Sequence, residues 1–185
     1  LSGAFAFEVG SHWGRRVSCL PHPAPAAASL PTMSVLPAGA GGDPALETLF
    51  LPFEQGLLPW PDTGEVAFLR ARAGWPLKRR GIERFRCEQG FRPFADRLEA
   101  EGLAVHAELG GEYPLVLVLP PRQRIEARAL LARALALAGS AGSVVCAMPN
   151  TEGARTGEDD LARLAGHVGS LSKHKCRVFW STPAQ

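Results

Sequence analysis

Three segments of the sequence stand where α/β proteins carry their ligand-binding and catalytic residues. Residues 70–75 directly follow the apolar run 65–69, and Glu88 comes about 20 residues after that run. Residues 119–122 stand at the end of the apolar run that begins at Leu115. In a doubly wound sheet the ligand lies at the carboxyl ends of the strands, where a glycine-rich turn lets the backbone approach a nucleotide. These segments are therefore the candidate positions for a cofactor and a catalytic group.

None of the three segments carries the side chains that this chemistry needs. Residues 70–75 read Arg-Ala-Arg-Ala-Gly-Trp, so two arginines and a tryptophan crowd the path of a cofactor. Glu88 stands where a carboxylate binds ribose, but we interpret it as an ion-paired or solvated glutamate. Residues 119–122 read Leu-Pro-Pro-Arg, where amino-group methyltransferases carry Asn/Asp-Pro-Pro-aromatic, and leucine cannot accept a hydrogen bond from an amine. We assign no catalytic and no cofactor-binding residue to this chain.

Histidines and cysteines are scattered along the sequence. No two cysteines are spaced as Cys-x-x-Cys, and no histidine stands at the spacing of a zinc ligand, so we predict no metal. Cys146 and Cys176 fall inside apparent strands, where a free thiol packs as a small apolar side chain. Free thiols indicate a reducing compartment, and no apolar run approaches the ~20 residues that cross a bilayer. We therefore predict a cytoplasmic protein without a membrane partner.

Basic side chains are concentrated in two segments of a nearly neutral chain. The formal net charge is +2, but residues 70–97 carry nine basic and three acidic side chains, and residues 170–185 carry three basic and none acidic. Such segments permit an anionic partner, and they are also common on solvated faces. The candidate contacts for an anion such as RNA phosphate are Lys78, Arg79 and Arg80 in one predicted loop, and Lys173, Lys175 and Arg177 along one face of the last predicted strand.

The hydrophobic pattern predicts an α/β fold. Residues 115–119 are apolar at every position, as in a strand covered on both faces of a parallel sheet. The predicted helices are 44–51, 91–101, 122–138 and 157–165, the last with a capping box at Thr156 and Asp159, and the other predicted strands are 65–69, 84–87, 103–106, 143–148 and 171–180. Alternating strands and helices need crossover connections, so we predict a Rossmann-like, mainly parallel sheet with helices on both faces.

The first 32 residues are expected to carry no fold. They begin without a methionine, and a Pro/Ala-rich tract precedes Met33. We interpret Met33 as the true start and residues 1–32 as a disordered or untranslated leader, with a natural disordered extension as the alternative. The folded domain is then predicted over residues 33–182.

Five blocks of the sequence resemble the N-terminal domain of a family of bacterial class I methyltransferases. The blocks are LFLPFEQGLLPW (49–60), CEQGFRPFA (87–95), PPRQRIEARA (120–129), NTEGARTGEDDLARL (150–164) and SLSKHKCRVFW (170–180). The family is similar to ribosomal RNA small subunit methyltransferase C, a two-domain enzyme that methylates the guanine N2 amine of 16S rRNA. The resemblance covers about residues 46–182.

The resemblance implies a degenerate methyltransferase domain. In the family the second domain binds S-adenosylmethionine and carries the Asn-Pro-Pro-aromatic motif, whereas the first has lost the cofactor site and assists folding and RNA engagement. From the resemblance we expect this chain to be a non-catalytic domain that binds no cofactor of its own. Its expected partners are 16S rRNA and a catalytic C-terminal domain that holds S-adenosylmethionine and is absent from these 185 residues.

Two other interpretations stay open. The same fold can act as a structural brace for the catalytic domain without touching RNA, in which case Lys173, Lys175 and Arg177 face that domain. Alternatively, the chain is a free-standing enzyme in which residues 70–75 and Glu88 hold a nucleotide. The sequence does not distinguish these interpretations, and it does not indicate which nucleotide or ribosomal subunit is the target.

Overall fold

The computed structural model describes residues 42–183, in which five α-helices and seven β-strands form one domain. The leader predicted over residues 1–32 and the start predicted at Met33 lie outside these residues. The helices are α1 Pro44–Glu54, α2 Trp75–Arg80, α3 Arg92–Ala100, α4 Arg124–Ala138 and α5 Ala154–Ala165. The strands are β1 Val66–Leu69, β2 Phe85–Glu88, β3 Ala104–His106, β4 Leu115–Val118, β5 Ser143–Pro149, β6 Gly169–Lys173 and β7 Cys176–Ser181.

The strands form one mixed sheet in the order β3-β2-β1-β4-β5-β7-β6. Strands β1 to β5 are parallel, and β7 runs antiparallel to both β5 and β6. The order reverses between β1 and β4, which are paired with Val66 opposite Leu115. In a doubly wound sheet such a reversal opens a crevice at the carboxyl ends of the two strands. The predicted mainly parallel sheet is confirmed.

Helices cover both faces of the sheet, as predicted. On one face, α1, α2 and α3 contribute Phe50, Leu77 and Leu98 to the core. On the other face, α4 and α5 contribute Leu131 and Leu161. Every residue of β1 and β4 is buried between these layers, which explains why both strands are apolar at consecutive positions rather than at alternate ones.

Helix α1 begins at the residue that the sequence indicates. Asp43 Oδ1 accepts hydrogen bonds from the backbone N–H groups of Ala45, at 3.0 Å, and Leu46, at 3.3 Å, and Pro44 occupies the first turn. The helix continues past its predicted end at residue 51, because Phe53 is buried with its ring centroid 5.0 Å from that of Trp60. Tertiary packing therefore extends α1 through its internal proline.

The cations at 78–80 lie in a helix, so their prediction as a loop is wrong. Helix α2 has six residues, with a proline at its second position and Leu77 fully buried against the core. Two adjacent buried residues, Pro76 and Leu77, in so short a segment produce no helical period, so nothing in the local pattern indicates a helix. Lys78, Arg79 and Arg80 form the last turn of this helix.

Residues 171–180, predicted as one strand, form parts of two antiparallel strands, β6 and β7. The prediction that Lys173, Lys175 and Arg177 lie along one face of a single strand is therefore wrong. The chain reverses at His174 and Lys175, whose φ angles are 54° and 59°. Lys173 therefore ends β6 opposite Cys176, and Arg177 lies on β7 opposite Ser172. A two-residue turn with both φ angles positive usually contains Asn-Gly, and His-Lys gives no such signal.

The start of α5 is also corrected. The helix begins at Ala154, one turn earlier than predicted, after Gly153 in a left-handed conformation with φ of 92°. The proposed capping box at Thr156 and Asp159 is therefore wrong, since both residues lie inside the helix. Ala154 is fully buried, and its packing holds the first turn in place of a side-chain cap. The other predicted elements are confirmed with ends within three residues.

Candidate functional site

The carboxyl edge of the sheet gathers six connections. The loops after β1, β2, β3, β4 and β5 begin there because these strands are parallel. The turn between β6 and β7 reaches the same edge, because β7 is reversed and its first residue, Cys176, pairs with Pro149 at the end of β5. The backbone N–H of Asn150 donates to the carbonyl oxygen of Lys175 at 2.9 Å and fixes this turn beside the β5 loop.

The turn after β1 carries two arginine residues. Arg70 has a φ of 53°, in the region that favours glycine, and its Nη1 is buried without a hydrogen-bond partner in the described part of the chain. Burial, followed by the charge of Arg72, lowers the pKa of the Arg70 guanidinium. Arg72 Nη1 donates to Asp43 Oδ2 at 2.6 Å. A Cβ on Gly74 would lie 2.5 Å from Leu46 Cδ2, so this glycine serves contact with α1.

Glu88, at the end of β2, is held by a three-way interaction. Arg133 on α4 binds both carboxylate oxygens, with Nη2 2.6 Å from Oε2, and the backbone N–H of Leu109 donates to Oε2 at 2.7 Å. The same Nη2 donates to the Leu109 carbonyl at 2.9 Å. The hydrogen bond that Arg133 donates to the Glu88 carboxylate raises the pKa of Arg133. The prediction that Glu88 is ion-paired is confirmed, and its oxygens are engaged by the protein itself.

The segment after β4 places an apolar side chain where the amino-group methyltransferases carry an amide or a carboxylate. Leu119 is 2% exposed and belongs to the core. Its backbone N–H donates to the carbonyl of Leu69 at 3.3 Å, which ties the ends of β4 and β1 together. Arg122 follows the two prolines and is exposed. Neither side chain offers an acceptor for an amino group at this position.

A cavity of about 280 Å³ opens between the first turns of α4 and α5. Its polar wall combines arginine, threonine and acidic side chains with the loop after β5. The lining residues that bear charge or hydroxyl groups are Arg122, Arg124, Thr151, Glu152, Thr156 and Asp160. The cavity is lined by residues of α4, α5, β5 and the loops after β4 and β5.

Asp160 is the buried centre of an arginine cluster beside this cavity. The side chain is 2% exposed, and Arg124 donates to both of its oxygens at 3.0 Å. Arg128 and Arg163 lie 3.8 Å from Oδ1. The hydrogen bond from Arg124, aided by the charges of the three arginines, lowers the pKa of Asp160 against the opposing effect of burial. One carboxylate thus faces three guanidinium groups, which leaves this face net positive.

Comparison with solved structures identifies the fold. No family model and no curated protein matches the chain. A 16S rRNA N2 methyltransferase of T. thermophilus, solved with AdoMet and guanosine, matches with a TM-score of 0.61 and 22% identity. A ribosomal protein L11 methylase of Lactobacillus delbrueckii subsp. bulgaricus matches with 0.57 and 11%, over 76% of this chain and 79% of that one. A methyltransferase of Pyrococcus furiosus matches with 0.53 and 14%, over 78% and 84%.

The chain has the Rossmann-like fold of these methyltransferases. The match to the T. thermophilus enzyme covers 77% of this chain but 39% of that one, so the chain spans well under half the length of this relative. In this methyltransferase fold, the ends of β1, β2 and β4 are the positions that the sequence indicated for a cofactor and a catalytic group. Those positions hold arginine side chains, the engaged Glu88, and buried Leu119.

The two predicted groups of RNA-binding cations lie at opposite edges of the methyltransferase-like sheet. Helix α2 ends near the amino edge, where Lys78 Nζ lies 3.5 Å from Glu101 and Arg79 Nη1 lies 3.3 Å from Glu54. The third cation there, Arg80, stacks with its guanidinium 4.8 Å from the ring centroid of Trp60.

The second group is divided by the turn at the carboxyl edge. Lys173 and Lys175 are exposed at the β6–β7 turn. Arg177 is bound by Glu158 of α5, and its hydrogen bond contributes to the lowered pKa of that carboxylate, against the opposing effect of burial. The structure therefore does not bring the six cations together on one surface.

Sequence reasoning missed two sets of surface residues. The first is the arginine cluster on α4 and α5, for which the spacing of Arg124 and Arg128 by one helical turn was an available signal. The second is a set of exposed aromatic side chains, Trp75, Phe91 and Phe94, whose exposure depends on the tertiary structure alone.

Residues 42–183 were compared with the requirements of a metal site and of a membrane-spanning helix. Over these residues, no group of three or more His, Cys, Asp or Glu side chains is arranged to hold a metal ion. No helix in the same part of the chain combines the length and apolar character needed to cross a membrane. Cys87, Cys146 and Cys176 are buried free thiols, and burial raises the pKa of Cys87 to about 12.

Proposed function

We propose that this chain is a non-catalytic, methyltransferase-like domain of an rRNA guanine-N2 methyltransferase. It engages ribosomal RNA, with 16S rRNA as the first candidate, and supports a catalytic domain that binds S-adenosylmethionine. The protein acts in the cytoplasm. The observation that carries this proposal is the interaction of Glu88 with Arg133 and the Leu109 N–H. A carboxylate that binds ribose needs acceptor positions directed at the ligand, and both Glu88 oxygens already accept hydrogen bonds from within the chain.

Two further observations support a domain without its own chemistry. Arg70 and Arg72 lie in the turn after β1, where a cofactor phosphate or carboxylate would need glycine backbone. Leu119 is buried in the position of the hydrogen-bond acceptor for a target amine. Each change alone would impair one function of the site, and together they support the proposal of a domain without cofactor binding or amine recognition.

The link to ribosomal RNA rests on resemblance and on charge. The fold matches a 16S rRNA N2 methyltransferase, although over 39% of that chain. Exposed cations, Arg122, Lys173 and Lys175, lie at the carboxyl edge of the sheet, and phosphate groups are the partner for which such cations are suited.

A structural brace without RNA contact is the second candidate. It is favoured by the ion pairs of Lys78 with Glu101, Arg79 with Glu54 and Arg177 with Glu158, because these cations are already neutralised within the domain. A free-standing nucleotide-binding enzyme is disfavoured by the engagement of Glu88.

Calorimetry with S-adenosylmethionine tests the first part of the proposal. We expect no saturable heat from the chain at micromolar ligand, whereas binding in that range would require a cofactor site and contradict the non-catalytic assignment. Filter binding of transcribed 16S rRNA tests the second part. Salt-dependent binding supports RNA engagement, and its absence assigns the domain to the structural role.

A further inference from the structure

We infer that Arg70 anchors a phosphate-binding site at the carboxyl edge of the sheet, beside the crevice between β1 and β4. The ligand is a phosphate group, carried either by a small molecule or by a nucleic acid backbone. This inference goes beyond the proposed function, because it concerns a ligand of this domain itself and requires neither a catalytic domain nor an rRNA target.

Arg70 is the first residue after β1, at the point where the strand order reverses. The N–H of Leu119 donates to the carbonyl of Leu69 at 3.3 Å, which joins the chain before Arg70 to the end of β4. The N–H of Ala71 donates to the carbonyl of Glu88 at 3.1 Å, which joins the chain after it to the end of β2. Arg70 is therefore held from both sides at the position where doubly wound sheets bind their ligands.

The backbone of Arg70 adopts a conformation that is unfavourable for its residue type. Its φ is 53°, in the left-handed region that glycine tolerates and a residue with a Cβ does not. Among residues 42–183, the other non-glycine residues with positive φ are His174 and Lys175, which form the β6–β7 hairpin turn and need this geometry for the reversal. Arg70 lies between a strand and a helix, where no hairpin imposes the angle. Strain of this kind is found at functional sites.

The guanidinium of Arg70 also lacks a partner for its charge. Its Nη1 is buried and has no hydrogen-bond partner in the described part of the chain. Burial, followed by the charge of Arg72, lowers the pKa of Arg70 and outweighs the attraction of Glu126 and Glu152. Arginine nevertheless stays protonated in proteins. The described residues therefore leave the positive charge of Arg70 incompletely compensated.

Arg72, two residues further on, is an internally satisfied arginine in the same loop. Its Nη1 donates to Asp43 Oδ2 at 2.6 Å, and the other oxygen of that carboxylate caps α1. Arg72 thus serves the fold by joining the loop to α1. Arg70 is strained and incompletely paired, and internal bonding of this kind does not account for it. Its charge is available to a group from outside the chain.

The chemistry of this position favours phosphate. In doubly wound sheets a glycine-rich turn after the first strand binds phosphate through backbone N–H groups, and here the N–H fork of a guanidinium takes their place. A phosphate monoester carries about 1.5–2 negative charges near neutral pH, against one for a carboxylate. The exposed cations Lys173 and Lys175 lie at the same edge of the sheet and favour the more highly charged anion. S-adenosylmethionine carries no phosphate, so this site does not imply cofactor binding.

The test measures the melting temperature of the full 185-residue chain against anion concentration, at constant pH and ionic strength. The probes are sodium phosphate, adenosine monophosphate, sodium acetate and a short oligouridylate, with sodium chloride as the balancing salt. Arg70→Met removes the charge and keeps the Cβ, and Arg70→Gly removes both. Arg72→Met is the matched control, since it makes the same change two residues away. Line broadening of the phosphate signal in phosphorus NMR measures binding independently of stability.

We expect phosphate to raise the melting temperature of the unchanged chain saturably, by about 3–6 °C at ten times its Kd, and acetate to give no such rise. Arg70→Met and Arg70→Gly should both lose the saturable rise and the line broadening. Arg70→Gly should in addition melt about 2–4 °C higher than the unchanged chain without phosphate, because the strain at φ of 53° is relieved. Arg72→Met should melt lower, because it loses the bond to Asp43, yet keep the response to phosphate.

The two carriers of phosphate give different outcomes. Tighter Arg70-dependent binding of the oligouridylate than of adenosine monophosphate assigns a nucleic acid backbone, and the reverse order assigns a small phosphate monoester; both support the site. Phosphate also stabilises proteins by exclusion from their surface, but that rise is not saturable and does not depend on one arginine. An equal response in the unchanged chain and Arg70→Met, no line broadening, or an equal response to acetate would overturn the inference.

Discussion

The guanidinium of Arg133 on α4 and the carboxylate of Glu88 at the end of β2 form a paired contact across 45 residues of sequence, with Nη2 2.6 Å from Oε2. Glu88 is 13% exposed and Arg133 is 31% exposed, so the pair is partly shielded from water. The contact anchors the loop after β3 through Leu109, at the strand end where a ribose-binding carboxylate stands in doubly wound folds. One ion pair therefore links this strand end to both the loop and α4.

Removal of Arg133 is expected to destabilise the domain. Arg133→Ala leaves a shielded carboxylate with one remaining hydrogen bond, so we expect the free energy of unfolding to fall by about 1–3 kcal/mol in urea titrations. Arg133→Met combined with Glu88→Gln removes both charges and should recover part of this loss. Arg155→Ala, at an exposed arginine of α5, should change stability by less than about 0.5 kcal/mol. An unchanged urea midpoint for Arg133→Ala would show that the pair is not structural.

Asp160 should dominate the acid sensitivity of the α4–α5 face. Its folded-state pKa lies below the unfolded value of about 3.9, so its stabilisation is present above that value and is lost as the pH falls through the folded-state pKa. Asp160→Asn should therefore flatten the fall in the free energy of unfolding as the pH drops below about 5. Asp159→Asn is the control, because Asp159 is exposed on the same turn. Equal pH profiles for the two variants would contradict the assignment.

The exposed lysines of the β6–β7 turn should contribute to RNA affinity through phosphate contacts. Lys173→Ala with Lys175→Ala should weaken rRNA binding and reduce the slope of log K against log salt by about 0.7–0.9 per lysine, while cofactor affinity of a two-domain parent stays unchanged. Lys78→Ala with Arg80→Ala makes the corresponding change at the amino edge. If only the Lys78 and Arg80 variant lowers the salt slope, RNA binds at the amino edge. If the Lys173 and Lys175 variant changes only the melting temperature, the β6–β7 turn faces another domain.

The β6–β7 turn is expected to carry backbone strain that glycine relieves. Lys175 has a φ of 59°, which costs a residue with a Cβ about 1 kcal/mol or more. Lys175→Gly should therefore raise the melting temperature by about 2–4 °C. Lys173→Gly, made in the extended strand β6, should lower it instead. Differential scanning calorimetry distinguishes the two, and a lower melting temperature for Lys175→Gly would show that the turn is unstrained.

Local pattern predicted the central strands and the long helices. Strand β4 is apolar at every position because both faces are covered, and the run of Ala and Leu in α4 is long enough to show as a helix. The β6–β7 turn was missed because His174 and Lys175 adopt positive φ angles that their residue types do not indicate. Helix α2 was missed because it is six residues long.

The candidate site was predictable only in part. The positions after β1, β2 and β4 are determined by strand order, and the absence of a glycine-rich turn after β1 is visible in the sequence. The partner of Glu88 is not visible, because Arg133 is distant from it along the chain and lies on another layer. The exposure of Trp75 and Phe91 depends on which faces the neighbouring helices leave uncovered, which single-chain periodicity does not specify.

Insertion of β7 between β5 and β6 has a consequence for synthesis on the ribosome. Strand β5 is buried over five consecutive residues, and its outer hydrogen bonds are all made by the last strand. A nascent chain that has emerged only as far as β6 therefore exposes an apolar sheet edge of the kind that templates aggregation. A β-hairpin forms in about 1–10 μs, which is far shorter than the time the ribosome needs to add one residue. The exposed edge of β5 is therefore covered before the next residue is added once Ser181 has left the ribosome. Chaperone dependence should accordingly concentrate in nascent chains that stop between β6 and β7.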